Sequence, residues 1–377
     1  MLKIGIECEN LEDPKSRWGV GQITLNLLQE YATNPEWQKK FKLYLYFKNS
    51  IPGDEVFKNT IFIKRVLGFP SFNVFYHILM PLRAMVDRLD WMFFPAYMLP
   101  PLYLGRSVVM LTNDVYYEYK YGNLPFRYKL AYRLFTNWAA IWASKILAIS
   151  ETSKKEVAKL YGINPDKIFV AHLGVNLLKN QSLETKALDF RPLAFSYILY
   201  VGQMFPRRHA KETILAFKKI APEFTDLKFI FVGKDKYQPS VIENMIKQVN
   251  QGLGSERIIH YDYLEKRENI EKLYSGAKAL IYVSDHEAFG LPPLEALGFG
   301  VPPVIADNEL GHELFGEYAF YVKSLDPDGI ADGIQRALTE TGKIEKIKNS
   351  GPEFVKKYNW KNFAEKFFKN MDSINSP

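Results

Sequence analysis

The chain has 377 residues, 47% of them hydrophobic and 24% charged, with a net charge of +7 and a pI near 9.0. That length is too great for one hydrophobic core and predicts two domains, while ordinary apolar and charged usage excludes wholesale disorder. A single cysteine, Cys8, excludes an intrachain disulfide and fits a reducing compartment, and the basic balance favours anionic partners without choosing among phosphates, nucleic acid and an acidic membrane surface.

The opening Met1-Leu2-Lys3-Ile4-Gly5-Ile6-Glu7 is too short an apolar run for a signal peptide, and Glu7 and Glu9 interrupt it. No run of about 18 apolar residues is present to span a bilayer, so a cytoplasmic protein, at most peripheral to a membrane, is expected. Short apolar runs predict strands at Leu2–Cys8, Phe41–Phe47, Ile61–Val66, Ser107–Leu111, Lys145–Ile149 and Ile168–Ala171. Helical periods fall between them at Gln22–Ala32, Phe126–Ser144 and Ser153–Leu160, the last with Ser153 and Glu156 spaced as a capping box.

The polar, aperiodic stretch Asn176–Pro192 reads as an interdomain linker. The alternation then restarts, with strands predicted at Tyr197–Val201, Phe229–Val232, Ile258–Tyr261, Ala279–Val283 and Val304–Ala306. Helices are predicted at His209–Phe224, Val241–Gln251, Ile270–Ala277 and Pro293–Gly298. Strand–helix alternation of this kind implies parallel sheets with right-handed crossovers. The expected fold is therefore α/β, with two Rossmann-like domains facing a cleft, residues 1–178 and 193–355. A C-terminal helix, 356–377 within the helical-looking Gly351–Ile374, is expected to cross back to the N-terminal domain through its aromatic side.

The sharpest chemical signal is Asp285-His286-Glu287-Ala288-Phe289-Gly290-Leu291-Pro292-Pro293-Leu294-Glu295-Ala296, in which seven residues separate two glutamates. Glu287 follows a predicted strand, Gly290 opens a turn, and Pro293 suits the first turn of a helix. Glu295 is placed in that first turn. Ligands of open α/β sheets bind where a strand ends and a helix begins, and helix N-termini attract phosphate. A carboxylate there can accept hydrogen bonds from ribose or sugar hydroxyls. A solvated Glu287 and a Glu295 that merely favours a helix start are the alternative.

This segment resembles the Glu-x7-Glu motif of the group-1, GT4-like retaining glycosyltransferases of GT-B fold, and the resemblance extends over nearly the whole chain. It implies a nucleotide-sugar donor in the C-terminal domain and an acceptor in the N-terminal domain. Tyr200-Val201-Gly202-Gln203-Met204-Phe205-Pro206-Arg207-Arg208-His209 is similar to the family's strand, Gly turn and basic pair, with Arg207-Arg208-His209 where Arg-Lys-Asn is frequent and Gln203 where some members carry arginine. Tyr261-Asp262-Tyr263-Leu264 resembles the turn that touches the nucleobase, Gly311-His312-Glu313-Leu314 resembles the later acidic position, and Trp360 a frequent tryptophan with a packing role.

Arg17-Trp18-Gly19-Val20-Gly21-Gln22 resembles the Gly-rich loop that approaches donor phosphate and acceptor. A dinucleotide fingerprint would need a third glycine where Thr24 stands, and a shorter loop. Leu111-Thr112-Asn113-Asp114 falls where many relatives carry His-Asp, and Asn113 cannot titrate. The resemblance thus implies Glu287, Arg207, Arg208 and Asp114 as catalytic, and Gly19, Gly21, Gly202, Tyr263, Leu264, Phe289, Gly290, Leu291 and Glu295 as donor-binding.

The expected reaction is retaining transfer of a hexose from GDP-mannose or a UDP-sugar to a glycan or lipid-linked acceptor in polysaccharide biosynthesis. No metal and no cofactor beyond the donor are expected, because arginines and a helix dipole can neutralise the diphosphate. A sugar-nucleotide epimerase and a non-catalytic scaffold share the architecture and remain alternatives. No basic run or module supports nucleic-acid binding. Two aromatic stretches, Phe69–Tyr76 continuing to Trp91–Phe94, and Phe126 to Trp142 with Arg127, Lys129, Arg133 and Lys145 interleaved, suit either the N-terminal core or contact with an anionic membrane.

Overall fold

The computed structural model describes residues 1–14, 17, 19–122, 124–176, 195–264 and 266–372. They form two compact units: Met1–Gly174 together with the chain from Tyr358 onward, and Val175–Lys357. Apart from Asn176, the part of the predicted linker up to Pro192 lies outside the described residues.

The first unit is built on a seven-stranded sheet: β1 (Leu2–Glu7), β2 (Phe41–Phe47), β3 (Ile63–Val66), β4 (Trp91–Phe94), β5 (Ser107–Met110), β6 (Lys145–Ala148) and β7 (Ile168–Val170). Every pairing is parallel, in the order β3-β2-β1-β4-β5-β6-β7. The second holds six parallel strands: β8 (Ser196–Val201), β9 (Leu227–Val232), β10 (Ile258–Tyr261), β11 (Leu280–Tyr282), β12 (Pro303–Ala306) and β13 (Phe320–Val322), in the order β10-β9-β8-β11-β12-β13. Helices cover both faces, so the strands read as near-continuous apolar runs, and β4 and β11 are buried throughout.

Both sheets are doubly wound. The chain steps outward from β1 to β3 and returns to place β4 beside β1; it does the same from β8 to β10 and returns with β11 beside β8. Each reversal opens a crevice at the carboxyl ends of the two central strands, where such sheets bind ligands.

Trp91–Phe94 is a central strand, and with Phe75 and Tyr76 it is buried, so these members of the first aromatic stretch are core, whereas Phe69 at its start is 38% exposed. Two expectations are corrected. The helix Glu151–Tyr161 is capped by Ser150, whose side chain accepts from the Ser153 N–H; Ser153 is inside the first turn and forms no capping box with Glu156. The C-terminal segment is two helices, Thr341–Val355 and Trp360–Asp372, because the chain passes from the second unit to the first between them. Phe368 of the last helix stacks on Phe41 at 5.1 Å, and Phe367 meets Phe93 edge-on at 4.8 Å. Trp360 is buried against Phe363, in keeping with a packing role.

Candidate active site

In the second unit, the carboxyl ends of β8, β9 and β11 converge. Gly202 follows β8 with φ +138°, and Gly233 follows β9 with φ +143°. A β-carbon on Gly233 would stand 2.0 Å from the Gly202 carbonyl oxygen, so only glycine fits. The two glycines strip side chains from the floor of the crevice. Beyond Gly202 the chain makes a short 3-10 turn, Pro206–Arg208, and His209 at φ +44° turns it into the helix Ala210–Ile220.

That turn delivers Arg208 to Glu287. Arg208 Nε lies 2.7 Å from Glu287 Oε1 and Nη2 lies 3.2 Å from Oε2, a two-pronged ion pair with both side chains 15% exposed. The Ser284 and Tyr282 hydroxyls also donate to Glu287, at 3.1 and 3.3 Å. Burial alone would raise the Glu287 carboxyl; the charge and hydrogen bonds of Arg208, helped by Arg207, outweigh it and hold the group below the usual carboxylate range. Gln203 takes part through its backbone, its carbonyl accepting from Arg208 Nη1 at 3.0 Å. Arg207 lies over the Phe205 ring at 4.6 Å, and its carbonyl accepts from the Asp285 N–H at 3.0 Å, pinning the two loops together. His209 reaches Asp285 at 3.0 Å and Glu212 at 3.7 Å, and the Glu212 hydrogen bond is the main cause raising its imidazole above the ordinary value.

Gly290, at φ +109°, is the N-cap of the helix Leu291–Gly298. The helix starts two residues before the sequence reading placed it, so Glu295 sits in the second turn, not the first. Pro292 and Pro293 carry no N–H, which leaves Gly290 and Leu291 as the backbone donors at this helix start. Glu287, Phe289, Gly290 and Pro293 line a pocket of ≈ 30 Å³ that is shared with Asn308 and Gly311. Gly311 of the weakly matched Gly311-His312-Glu313-Leu314 is therefore at the pocket wall.

Glu295 is held differently from Glu287. Its Oε1 accepts from Arg267 at 3.0 Å and its Oε2 from the Tyr274 hydroxyl at 3.1 Å. Burial raises this carboxyl, and Arg267 offsets only part of the effect. Tyr263 exposes its ring, whereas Leu264 is part of the hydrophobic core.

Gly19, Gly21 and Asp114 belong to the first unit. Trp18 lies outside the described residues. Gly19, at φ +53°, is the N-cap of the helix Val20–Thr33, and a β-carbon on Gly21 would meet the Asn10 carbonyl at 2.9 Å. Arg17 braces this loop from beneath: Nε donates to the Leu11 carbonyl, and both Nη atoms reach Asp54 at 2.7 Å. Glu7, buried at the end of β1, accepts from the Glu9 N–H at 2.6 Å and from Asn10 Nδ2 at 3.2 Å. Burial pushes its carboxyl up to about 8. Asn113 is buried and donates to Glu156 at 2.6 Å. Next to it, Asp114 Oδ1 is buried with no hydrogen-bond partner among the described residues.

The structure thus brings together Gly202, Arg207, Arg208, Glu287, Phe289 and Gly290 in one crevice. The sequence reading missed Gly233, Ser284 and Tyr282, which complete it, and Arg267 and Tyr274, which hold Glu295. Gly233 carries a signal in the sequence, since it ends the apolar run of β9; the others are ordinary residues whose position only the fold reveals. Among the described residues, no group of three or more His, Cys, Asp or Glu is placed to hold a metal ion, and no helix is long and apolar enough to cross a membrane.

Two doubly wound parallel sheets, with a basic pair and a carboxylate meeting at a switch point, define the GT-B class. Comparison narrows it. Residues 190–354 match the family Glycosyl transferases group 1, and residues 55–178 match Glycosyltransferase Family 4. The chain therefore belongs to the group-1, family-4 glycosyltransferases. It is 26% identical over 226 residues to O-antigen chain mannosyltransferase B of Escherichia coli, covering 58% of each chain. It is 25% identical over 237 residues to O-antigen chain mannosyltransferase RfbU of Salmonella typhimurium, covering 63% of this chain and 62% of that one. The match thus spans about three fifths of the length of these relatives. The fold matches that of HepE of Anabaena, solved in complex with UDP-glucose, with a TM-score of 0.71 and 16% identity over 99% of this chain and 100% of that one.

Proposed function

We propose that the protein is a retaining glycosyltransferase that moves a hexose from a nucleotide sugar to a glycan or lipid-linked acceptor during polysaccharide biosynthesis. The observation that carries the reading is the Arg208–Glu287 ion pair at the β8/β11 switch point, beside Arg207 and the helix start at Gly290. The mannosyltransferase names of the two relatives favour a mannosyl donor such as GDP-mannose; a UDP-sugar is the second donor class, supported by the UDP-glucose bound in HepE.

In this reading Arg207, Arg208 and the N–H groups of Gly290 and Leu291 stabilise charge on the departing diphosphate, the dominant kind of contribution in such sites. Glu287, kept ionised by Arg208, accepts hydrogen bonds from hydroxyls of the transferred sugar. Glu295 receives the ribose, and Gly202 and Gly233 let the donor approach the backbone. In the first unit, the acceptor role is assigned to Asp114 and a phosphate-recognition role to the Gly19–Gly21 loop. The acceptor attacks from the face the diphosphate leaves, and a diphosphate oxygen takes its proton, so configuration at the anomeric carbon is retained. The chain supplies its positive charge by arginine rather than by a metal ion. Peripheral contact with an anionic membrane gives access to a lipid-linked acceptor.

The test is transfer from labelled GDP-mannose and UDP-sugars, with and without EDTA, to polyprenyl-diphosphate-linked and free glycan acceptors, with the product's anomeric configuration read by NMR. Transfer that inverts the anomeric centre, or that stops in EDTA, contradicts the mechanism. Absence of transfer from every donor contradicts the function.

A further inference from the structure

Helices on the surface of a globular unit ordinarily turn polar residues outward. The helix Phe126–Trp142 does the opposite. Phe126, Leu130, Leu134 and Ile141 recur at helical spacing along its outer side, with Phe126 79% and Leu134 61% exposed, and Trp142 ends it 62% exposed. Its inner side is spent on the core, through Ala139 and Ala140. The helix Met80–Asp87 and the π-helical turn before it repeat the pattern: Ile78, Leu82, Met85 and Val86 form a second outward stripe, with Val86 69% exposed. Both segments pack on the same core cluster, and His77 stacks on Phe135 at 5.3 Å, joining the turn that carries Ile78 to the helix that carries Leu134. The stripes therefore form one apolar face, a feature that marks an interaction surface.

Charge selects the occupant. Arg127, Lys129 and Arg133 flank the longer stripe, and no acidic residue occurs from residue 124 to residue 150 or from residue 69 to residue 86. Asp87, the first acid beyond, is buried and ion-paired with Arg65 and Arg83 at 2.7 and 3.2 Å. Two copies of this face would set like charges against one another, because a two-fold contact pairs a surface with itself. Basic side chains bordering an apolar stripe with a tryptophan at its end suit the headgroup level of an anionic bilayer. We propose that the outer face of the helices Met80–Asp87 and Phe126–Trp142 docks the first unit on an anionic phospholipid surface. This deepens the membrane-facing part of the proposed function and rests on it for the lipid-linked acceptor; the face belongs to the first unit and the nucleotide crevice to the second.

The test is co-sedimentation of the full chain with phosphatidylcholine vesicles, with and without phosphatidylglycerol, alongside thermal-shift responses to GDP and UDP. Binding about tenfold or more tighter to the anionic vesicles, and weakened by salt, is expected. Leu130→Ser/Leu134→Ser and Arg127→Glu/Arg133→Glu should each lower it about tenfold or more, with melting midpoint and nucleotide response unchanged. Equal partition to the two vesicle types overturns the surface, as do variants that bind like the wild type, or a wild-type dimer that these substitutions dissociate. Vesicle binding as expected with no nucleotide response overturns the transferase reading while leaving the surface standing.

Discussion

Arg208 and Glu287, which follow different strands of the second sheet, meet in a two-pronged ion pair, Nε to Oε1 at 2.7 Å and Nη2 to Oε2 at 3.2 Å. The pair fixes the charge state of Glu287 and the geometry of the turn that carries Arg207. Arg207 contributes mainly to the departing diphosphate in the proposed reaction, so the two arginines separate experimentally. Arg207→Ala is expected to lower kcat by about 100-fold or more with little change in melting midpoint. Arg208→Ala strands a buried carboxylate and should also destabilise the fold by about 3–5 kcal/mol. Steady-state kinetics together with thermal melts read both; equal stability loss in the two variants would contradict the assignment.

Glu295 keeps one lone pair free on each oxygen after its bonds to Arg267 and Tyr274. If it takes the ribose, Glu295→Ala weakens nucleotide binding by about tenfold or more, the loss of a charge-assisted hydrogen bond. Calorimetric titration of the nucleotide checks this. Unchanged affinity would restrict Glu295 to bracing Arg267.

Glu7 makes stability fall with rising pH. Its folded carboxyl titrates at about 8 against 4.5 for the ordinary group, so the folded state binds the proton more tightly than the unfolded chain does. The stabilisation is complete below about 4.5 and is lost as pH rises through about 8, at up to about 1.4 kcal/mol per pH unit from this group. Glu7→Gln should flatten that decline between pH 5 and 8, measured by urea unfolding across the range. A variant with the wild-type slope would contradict the buried-acid account.

Gly233→Ala tests the glycine floor. The added methyl meets the Gly202 carbonyl at 2.0 Å and the residue must keep φ +143°, so backbone must move. A loss of about 2–3 kcal/mol in stability is expected, with weaker nucleotide binding. Full retention of both would show that the floor can shift.

Much of the architecture was legible because buried parallel strands are written as apolar runs: β2 and β10 begin and end where the runs do. β4 was hidden because Trp91–Phe94 continues an aromatic-rich stretch that suits lipid as well as core. β13 was missed although β7 and β11, which were read, are equally short. At the site, the Glu287 and Arg207-Arg208 segments are contiguous motifs and could be read. Their pairing joins residues 79 apart in sequence, and nothing local announces it. The same holds for Arg267, 28 residues before Glu295, and for Glu156, which claims Asn113 across 43 residues.

The central claim is that the β8/β11 crevice binds a nucleotide sugar. The most direct measurement is the melting midpoint of the full chain with GDP, UDP, ADP and their sugar conjugates. Binding only to the folded state stabilises by about 2.7 kcal/mol at 100 times Kd, so one nucleotide family should raise the midpoint clearly, and Arg208→Ala should abolish that rise. A midpoint that no nucleotide moves at millimolar concentration would contradict the account.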